Sequence, residues 1–442
     1  MKIEHPPSAA APLYIESLDQ EGRGIARRDG KTIFVEGALP GERVTISVFR
    51  KKPSFEIGSV QSVVEASSSR TVPRCVYFGV CGGCALQHVQ LATQVAAKQR
   101  VLEDALRRIG RVTPEEMLAP IQGPAWRYRH RARFTARYVE KKGGSLIGFH
   151  EKRSSYVADM TSCEVIPARI SALLKPLREL ITSLSIPRRV PQIELAIGDE
   201  AEVLVLRVLD APSDKDEVAL REFAERHQVF LYLQPGGLHT VKPFHPPQGA
   251  DLHYALPEFD VRIYFEPTDF TQVNHAVNRV LVRRALSLLD PQPGERVADM
   301  FCGLGNFSLP IARSGAQVLG IEGSDGLVAR ARSNAARNGL SANALFDVMN
   351  LFEIDASVLR TLGRFDRMLI DPPRDGAMEL VKALGDNAPH RLVYVSCNAG
   401  TLARDAGVLV SEKGYTFRCA GVVNMFPHTA HVESIALFTR ET

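Results

Sequence analysis

No stretch of the 442 residues approaches the roughly 18 consecutive apolar residues that cross a bilayer. The opening segment, MKIEHPPSAAAPLY, lacks the apolar centre of a secretory signal. Both absences point to a cytoplasmic protein with no membrane partner. Charge of one sign is missing too. Lys and Arg number 54, Asp and Glu 50, and the formal net charge is +4. So mild a balance does not by itself argue for nucleic acid, and local clusters must carry that case. Internal repeats and low-complexity tracts are absent. Cysteine is scarce and odd in number, at seven, with three crowded at Cys75, Cys81 and Cys84. In a cytosolic chain such crowding favours metal or cofactor ligation over disulfides.

Hydrophobic residues make up 45% and charged residues 24%, enough for well-buried cores in two to four domains. Residues 1–66 read as a small OB-like β-barrel. Runs at Leu13–Leu18, Thr32–Val35, Arg43–Phe49 and Ile57–Val64 are separated by the turns Arg28-Asp29-Gly30, Leu39-Pro40-Gly41 and Lys52-Pro53-Ser54. Arg50, Lys51 and Lys52 lie between two strands, either as a phosphate contact or as a solvated basic turn. Residues 67–265 read as a strand-rich central domain that begins with a polar linker, the cysteine cluster and an amphipathic helix from Leu91 to Ile109. Leu91, Val95, Leu102, Leu106 and Ile109 share its face, and Gly110 stops it. Arg127, Arg129, Arg131 and Arg133 alternate, so a strand would place them on one face. An RNA backbone would neutralise them there; pairing with acids elsewhere is the bland alternative.

From residue 266 to 442, strands alternate with helices in the pattern of a doubly wound, Rossmann-like α/β domain. Val297-Ala298-Asp299-Met300-Phe301 runs into Cys302-Gly303-Leu304-Gly305-Asn306, a strand, glycine turn and helix that opens a nucleotide-cofactor site. A second strand ends in Glu322, placed to accept both ribose hydroxyls of an adenosine. A dinucleotide prefers a third glycine where Ser308 stands, so these residues favour S-adenosyl-L-methionine over NAD. Asn350, after the next apolar segment, reads equally as an adenine contact or as a turn residue.

Two strand ends carry chemistry. Leu369-Ile370-Asp371-Pro372-Pro373-Arg374 holds a carboxylate rigidly at the sheet edge, and Val393-Tyr394-Val395-Ser396-Cys397-Asn398 ends in a cysteine facing the same crevice. An inert buried thiol is the usual fate of a cysteine, but Cys397 ends its apolar run and precedes polar Asn398. A thiolate adding to carbon 6 of uracil makes carbon 5 nucleophilic, and the site must then favour deprotonation of the thiol. A base must remove the carbon-5 proton. Glu433, at the end of Phe426-Pro427-His428-Thr429-Ala430-His431-Val432, is the candidate, with His428 and His431 as rivals. The Asp-Pro-Pro sequence also occurs in adenine-amino methylation, but there an aromatic residue usually follows, where this chain has Arg374. A non-catalytic RNA-binding factor would leave Cys397, Glu433 and the glycine turn without a purpose.

In motif order the chain resembles the RNA 5-methyluridine methyltransferases, and among them those acting on 23S ribosomal RNA, over nearly its whole length. The pieces are Thr71–Cys75 with Phe78–Cys84, Asp269–Asn274, Phe301–Phe307, Val395–Asn398 with Thr401–Asp405, and Met425–Thr429 with His431–Ser434. The resemblance implies a TRAM domain for the barrel, Cys397 as nucleophile and Glu433 as base. It implies Gln272, Phe301, Asn306, Glu322, Asn350 and Asp371 as cofactor contacts, although Gln272 and Asp371 also suit positioning of the uracil. It further implies a [4Fe–4S] cluster on Cys75, Cys81, Cys84 and Cys163, with zinc as the other metal such thiolates suit. A monomer acting on 23S ribosomal RNA is expected, with the helix near 91–110 packing on the methyltransferase domain.

Overall fold

The computed structural model describes residues 11–385 and 388–441. These fall into two compact units: residues 11–101 with Phe426–His431, and residues 102–385 and 388–425 with 432–441. Among the described residues the strands form four sheets.

In the first unit a six-stranded sheet is built from β1 (Leu13–Tyr14), β2 (Ser17–Leu18), β3 (Gly24–Arg28), β4 (Lys31–Glu36), β5 (Arg43–Lys51) and β6 (Phe55–Glu65), in the order β1-β5-β6-β4-β3-β2. Alternation points Leu13, Ile15, Ala26, Ile33, Val35 and Val44 into one core. Strand β3 was not read from the sequence. It pairs with β4 through Asp29 and Gly30, both at positive φ, the geometry of a tight hairpin turn. The segment after β6 is more than a polar linker. Arg70 crosses back to the fully buried Glu42, its Nε 2.5 Å from Oε1 and its terminal nitrogen 2.7 Å from Oε2. Beyond it, Leu86 and Val89 pack on Leu39.

Helix α1 spans Leu91–Ala105 and is followed by a π-helical turn at Leu106–Gly110. Of its expected apolar face, Val95, Leu102 and Leu106 are buried, whereas Leu91 and Ile109 are exposed. The turn packs on helix α9 (Ala399–Ser411), and Gly110 is needed for that approach. A Cβ there would stand 2.2 Å from the Ala403 carbonyl oxygen. Strand β7 (Glu116–Met117) follows.

The central part of the second unit is a sheet of β8 (Arg131–Val139), β9 (Gly144–Gly148), β10 (Gln192–Ile197), β11 (Glu202–Arg207), β12 (Phe230–Gln234) and β13 (Lys242–His245). It is joined by α2 (Ala168–Ser183), α3 (Asp214–His227) and the hairpin β14 (His253–Leu256) and β15 (Val261–Tyr264). The arginine stripe takes another form than expected. The strand begins only at Arg131, and Arg127 sits at positive φ before it. Arg127 pairs with Glu164 at 3.0 Å, Arg133 with Glu194 at 3.0 Å and Arg131 with the same Glu194 at 3.8 Å. Two acids of the fold thus meet three of the four guanidinium groups, Glu194 being shared by Arg131 and Arg133, so pairing within the fold offsets part of the stripe's charge.

The remaining sheet runs β18-β17-β16-β19-β20-β22-β21-β7. Its strands are β16 (Arg296–Met300), β17 (Gln317–Glu322), β18 (Ala344–Val348), β19 (Arg367–Ile370), β20 (Arg391–Ser396), β21 (Thr416–Val423) and β22 (Glu433–Thr439), beside β7. Strands β16 to β20 are mutually parallel, and β22 enters antiparallel between β20 and β21. Helices α4 (His275–Leu289), α5 (Ser308–Arg313), α6 (Asp325–Arg337), α7 (Ala356–Thr361) and α8 (Met378–Ala383) precede α9 along the chain. Strand order reverses between β16 and β19, so the crevice of the sheet opens at their carboxyl ends. The expected class, a doubly wound α/β domain behind a small β module and a strand-rich centre, is the class observed. Among the described residues, no helix is long and apolar enough to cross a membrane.

Candidate active site

Strand β16 ends where the backbone must turn sharply. Phe301 stands at φ +66°, Gly303 at +54° and Gly305 at +89°. A left-handed phenylalanine is uncommon, and such strain collects at functional sites. The turn is held from below. The Cys302 amide donates to the Ile321 carbonyl at 3.0 Å, and the Gly303 amide donates to the Glu322 carboxylate at 3.2 Å. The Ser324 amide donates to the other oxygen of Glu322 at 3.2 Å. Phe301 lies 5.6 Å from Phe352, ring to ring.

Asn306 is committed inward. Its amide oxygen accepts from Asn278 at 2.8 Å and from the Tyr254 hydroxyl at 2.9 Å, and its amide nitrogen donates to Asn278 at 3.1 Å. This network ties the glycine turn to α4 and to β14. Asn278 and Tyr254 were not singled out from the sequence, and only their place in the fold reveals them. Asn350 is exposed, and its side-chain oxygen accepts from the Phe352 amide at 3.1 Å, the turn role. It lies two residues beyond Val348, the register partner of Glu322. Gln272 is half-buried on the segment leading into α4, whose first turn Asn274 caps.

Asp371 follows β19, its amide donating to the Met300 carbonyl at 3.1 Å across the switch point. Burial pushes its carboxyl up to about 7. Cys397 follows β20 and Glu433 begins β22. Their strands run antiparallel with Ser396 opposite Ser434, so the thiol and the carboxylate come just past that pair. Cys397 is partly exposed and Glu433 buried. Asn398 caps α9 by accepting from the Gly400 amide at 2.9 Å, and its amide nitrogen donates to the Arg374 carbonyl at 3.2 Å. Asp405, fully buried, accepts from Tyr394 at 2.7 Å and from the Ala377 amide at 2.8 Å, bracing the loop after the two prolines.

Against expectation, the site does not favour the thiolate as it stands. Burial raises the Cys397 thiol above its ordinary range, and Glu433 and Asp371 raise it further, with Arg374 opposing. His428 and His431 belong to the first unit. There the His428 amide donates to the Gln94 side chain at 2.8 Å, and its carbonyl accepts from the Ala85 and Leu86 amides, each at 2.9 Å.

The cysteine loop has little regular structure. Cys81 is buried, and Cys75 and Cys84 are half-buried. The Cys75 amide donates to Gln87 at 3.0 Å and the Gly83 amide to the Cys81 sulfur at 3.4 Å. Cys163 lies buried in the second unit. Among the described residues, no group of three or more His, Cys, Asp or Glu side chains is arranged to hold a metal ion.

A TRAM-domain model matches residues 12–60, and a tRNA (Uracil-5-)-methyltransferase model matches residues 256–441. The 23S rRNA (uracil(1939)-C(5))-methyltransferase RlmD of Nitrosospira multiformis is 60% identical over 97% of this chain and 98% of its own length. The chain belongs to the RlmD family. The RlmD protein of Dechloromonas aromatica is 61% identical over 96% of this chain and 98% of its own. The crystal structure of Pyrococcus abyssi tRNA (uracil-54, C5)-methyltransferase in complex with S-adenosyl-L-homocysteine superposes with TM-score 0.74. It is 25% identical and covers 97% of this chain and 100% of its own. RlmD membership accounts for the TRAM match, the methyltransferase sheet and the motif order together.

Proposed function

We propose that this protein methylates carbon 5 of a uridine in 23S ribosomal RNA, the position corresponding to uracil 1939 named for its relatives. The observation that carries the chemistry is the placement of Cys397 and Glu433 at adjoining strand ends beside Asp371. Gln272, Phe301, Asn306, Glu322, Asn350 and Asp371 form the cofactor side, with Asn306 acting through the turn it supports. Bound S-adenosyl-L-methionine supplies the electrophilic methyl group. Cys397, as its thiolate, adds to carbon 6 of the uracil, the ring double bond is spent, and the carbon 5 so made nucleophilic takes the methyl group. Glu433 then takes the carbon-5 proton, the ring double bond re-forms and the Cys397 sulfur leaves. The uridine must leave its stack to reach the crevice, so a loop or other flexible nucleotide is the expected target, in the cytoplasm and by a monomer.

RNA bearing 5-fluorouridine tests this reading. Fluorine cannot leave as a proton does, so a covalent complex should accumulate with the cofactor present. No complex with 23S fragments containing the target would sink the proposal.

For the cysteine loop we propose a [4Fe–4S] cluster on Cys75, Cys81, Cys84 and Cys163. Thiolate donors of this number suit it, and the Gly83 amide to Cys81 sulfur bond is of the kind that supports cluster thiolates. The described side chains are not gathered as a ligand set, and no step of methylation runs through the cluster. Iron and acid-labile sulfide content of protein purified without oxygen decides between the cluster and zinc.

A further inference from the structure

The apolar run Val297-Ala298-Asp299-Met300 sets a carboxylate inside β16, between β17 and β19, with no exposure to solvent. The Ser308 hydroxyl donates to its Oδ2, and Oδ1 meets no hydrogen-bond partner. A buried oxygen left so is costly while the group is charged and alone. The charges acting on Asp299 make matters worse, because both are acidic: Asp371 from the end of β19 and Glu322 from the end of β17. Burial pushes Asp299 up to about 7, those two acids add to it and Ser308 opposes it. Cys302, beside Asp299 and Glu322, is held well above the usual thiol range, first by burial. On the other side of the crevice Asp371 and Glu433 act on Cys397, and Arg374, the basic group there, is exposed. Acidic groups therefore dominate the charge around both Asp299 and Cys397.

We propose that the Asp299–Asp371 pair holds a proton while the pocket is empty and releases it to solvent when a ligand carrying a sulfonium charge enters. The Asp371 amide donates to the carbonyl of Met300, the residue after Asp299. Two carboxylates set on such adjoining strands, one of them fully buried, resist ionising together, so one proton is retained. The methyl donor carries one net positive charge, and its thioether product carries none. Entry of the positive charge favours the ionised pair, and the proton leaves to water with nothing oxidised or reduced. Once the methyl group has been transferred the charge is gone, and the pair takes a proton back. Donor affinity therefore rises with pH relative to product affinity, by up to about tenfold per unit if a full proton is released. Asp299 is in this sense a binding residue that the motifs did not mark. The inference rests on the cofactor reading above.

Isothermal titration over a pH series through neutrality, at each pH in two buffers of different ionisation enthalpy and with S-adenosylmethionine and S-adenosylhomocysteine as probes, counts the protons. More release is expected with the donor than with the product, and Asp299→Asn should remove the excess. Comparing wild type with that variant cancels the ligand's own ammonium titration. Ser308→Ala keeps the carboxylate but removes a bond that favours its charge, so the pH of half-release should move up. Equal release by both ligands, unchanged release in Asp299→Asn, or no movement in Ser308→Ala would each overturn the inference. Those outcomes leave product binding intact. Failure of wild type to bind either ligand would instead overturn the cofactor reading itself.

Discussion

Cys397 and Glu433 occupy the positions immediately past the Ser396–Ser434 pair, where β20 and β22 run antiparallel. Far apart in sequence, they come together because β22 inserts between β20 and β21. The two residues have separable roles, and substitution can tell them apart.

Cys397→Ala should leave cofactor binding in place and reduce methylation to background, with no adduct on 5-fluorouridine RNA. Gel-resolved covalent complex and tritium transfer measure both. Methylation at the wild-type rate would remove the thiol from the mechanism.

Glu433→Gln should slow turnover by about 10²–10⁴-fold, the usual contribution of a positioned base. Ordinary RNA should then accumulate as a covalent adduct, since the carbon-5 proton stays in place. An unaltered rate, with no adduct on ordinary RNA, would pass the role to another group.

In the cofactor-free protein, alkylation of Cys397 should lag behind a simple thiol, whose pKa is about 8.5. Burial first, then Glu433 and Asp371, keep this thiol protonated. Peptide mapping after iodoacetamide treatment across pH gives its titration. A midpoint at or below the ordinary thiol value contradicts the acidic surroundings described here.

Arg70→Met leaves the Glu42 carboxylate buried without its ion pair, which should cost toward the lower end of about 3–5 kcal/mol at pH 7. Burial alone would raise Glu42, but the Arg70 side chain and the Leu39 and Ser67 amides outweigh it and hold the carboxyl below its ordinary value. A lowered folded-state value stabilises the fold above the unfolded value near 4.3, and that contribution is lost as pH falls through the folded one. Chemical denaturation at pH 7 and at pH 3 should show a large wild-type-to-variant gap at the first and a small one at the second.

Gly110→Ala should destabilise the second unit by about 1–3 kcal/mol, because the new methyl group meets the Ala403 backbone rather than a movable side chain. A thermal transition unchanged from wild type would show that the turn at Leu106–Gly110 yields freely.

Much of the site was legible because each piece is local. The strand running into Gly303 and Gly305, the acid ending the next strand at Glu322, and the prolines after Asp371 are short-range signals. Asp299 was legible too, as a charge within an apolar strand, but its spacing carried no role. The arginine stripe misled because alternation says which residues share a face only once the strand is known to extend over them. Here it starts at Arg131, and Glu164 and Glu194 arrive from distant segments. The face of α1 misled at its ends because Leu91 and Ile109 lie where the helix begins and where it loosens into the π-helical turn.

From the chain alone came the kinds of groups available, the order of the motifs and the strand-helix alternation, since periodicity and turn chemistry are properties of neighbours in sequence. Which acid meets which cation, that Asn306 faces inward to Asn278 and Tyr254, and that the strands ending in Glu322 and Asp371 flank the one holding Asp299 were decided by the tertiary fold. Those relationships depend on strand order, and strand order brings together residues that no local pattern connects.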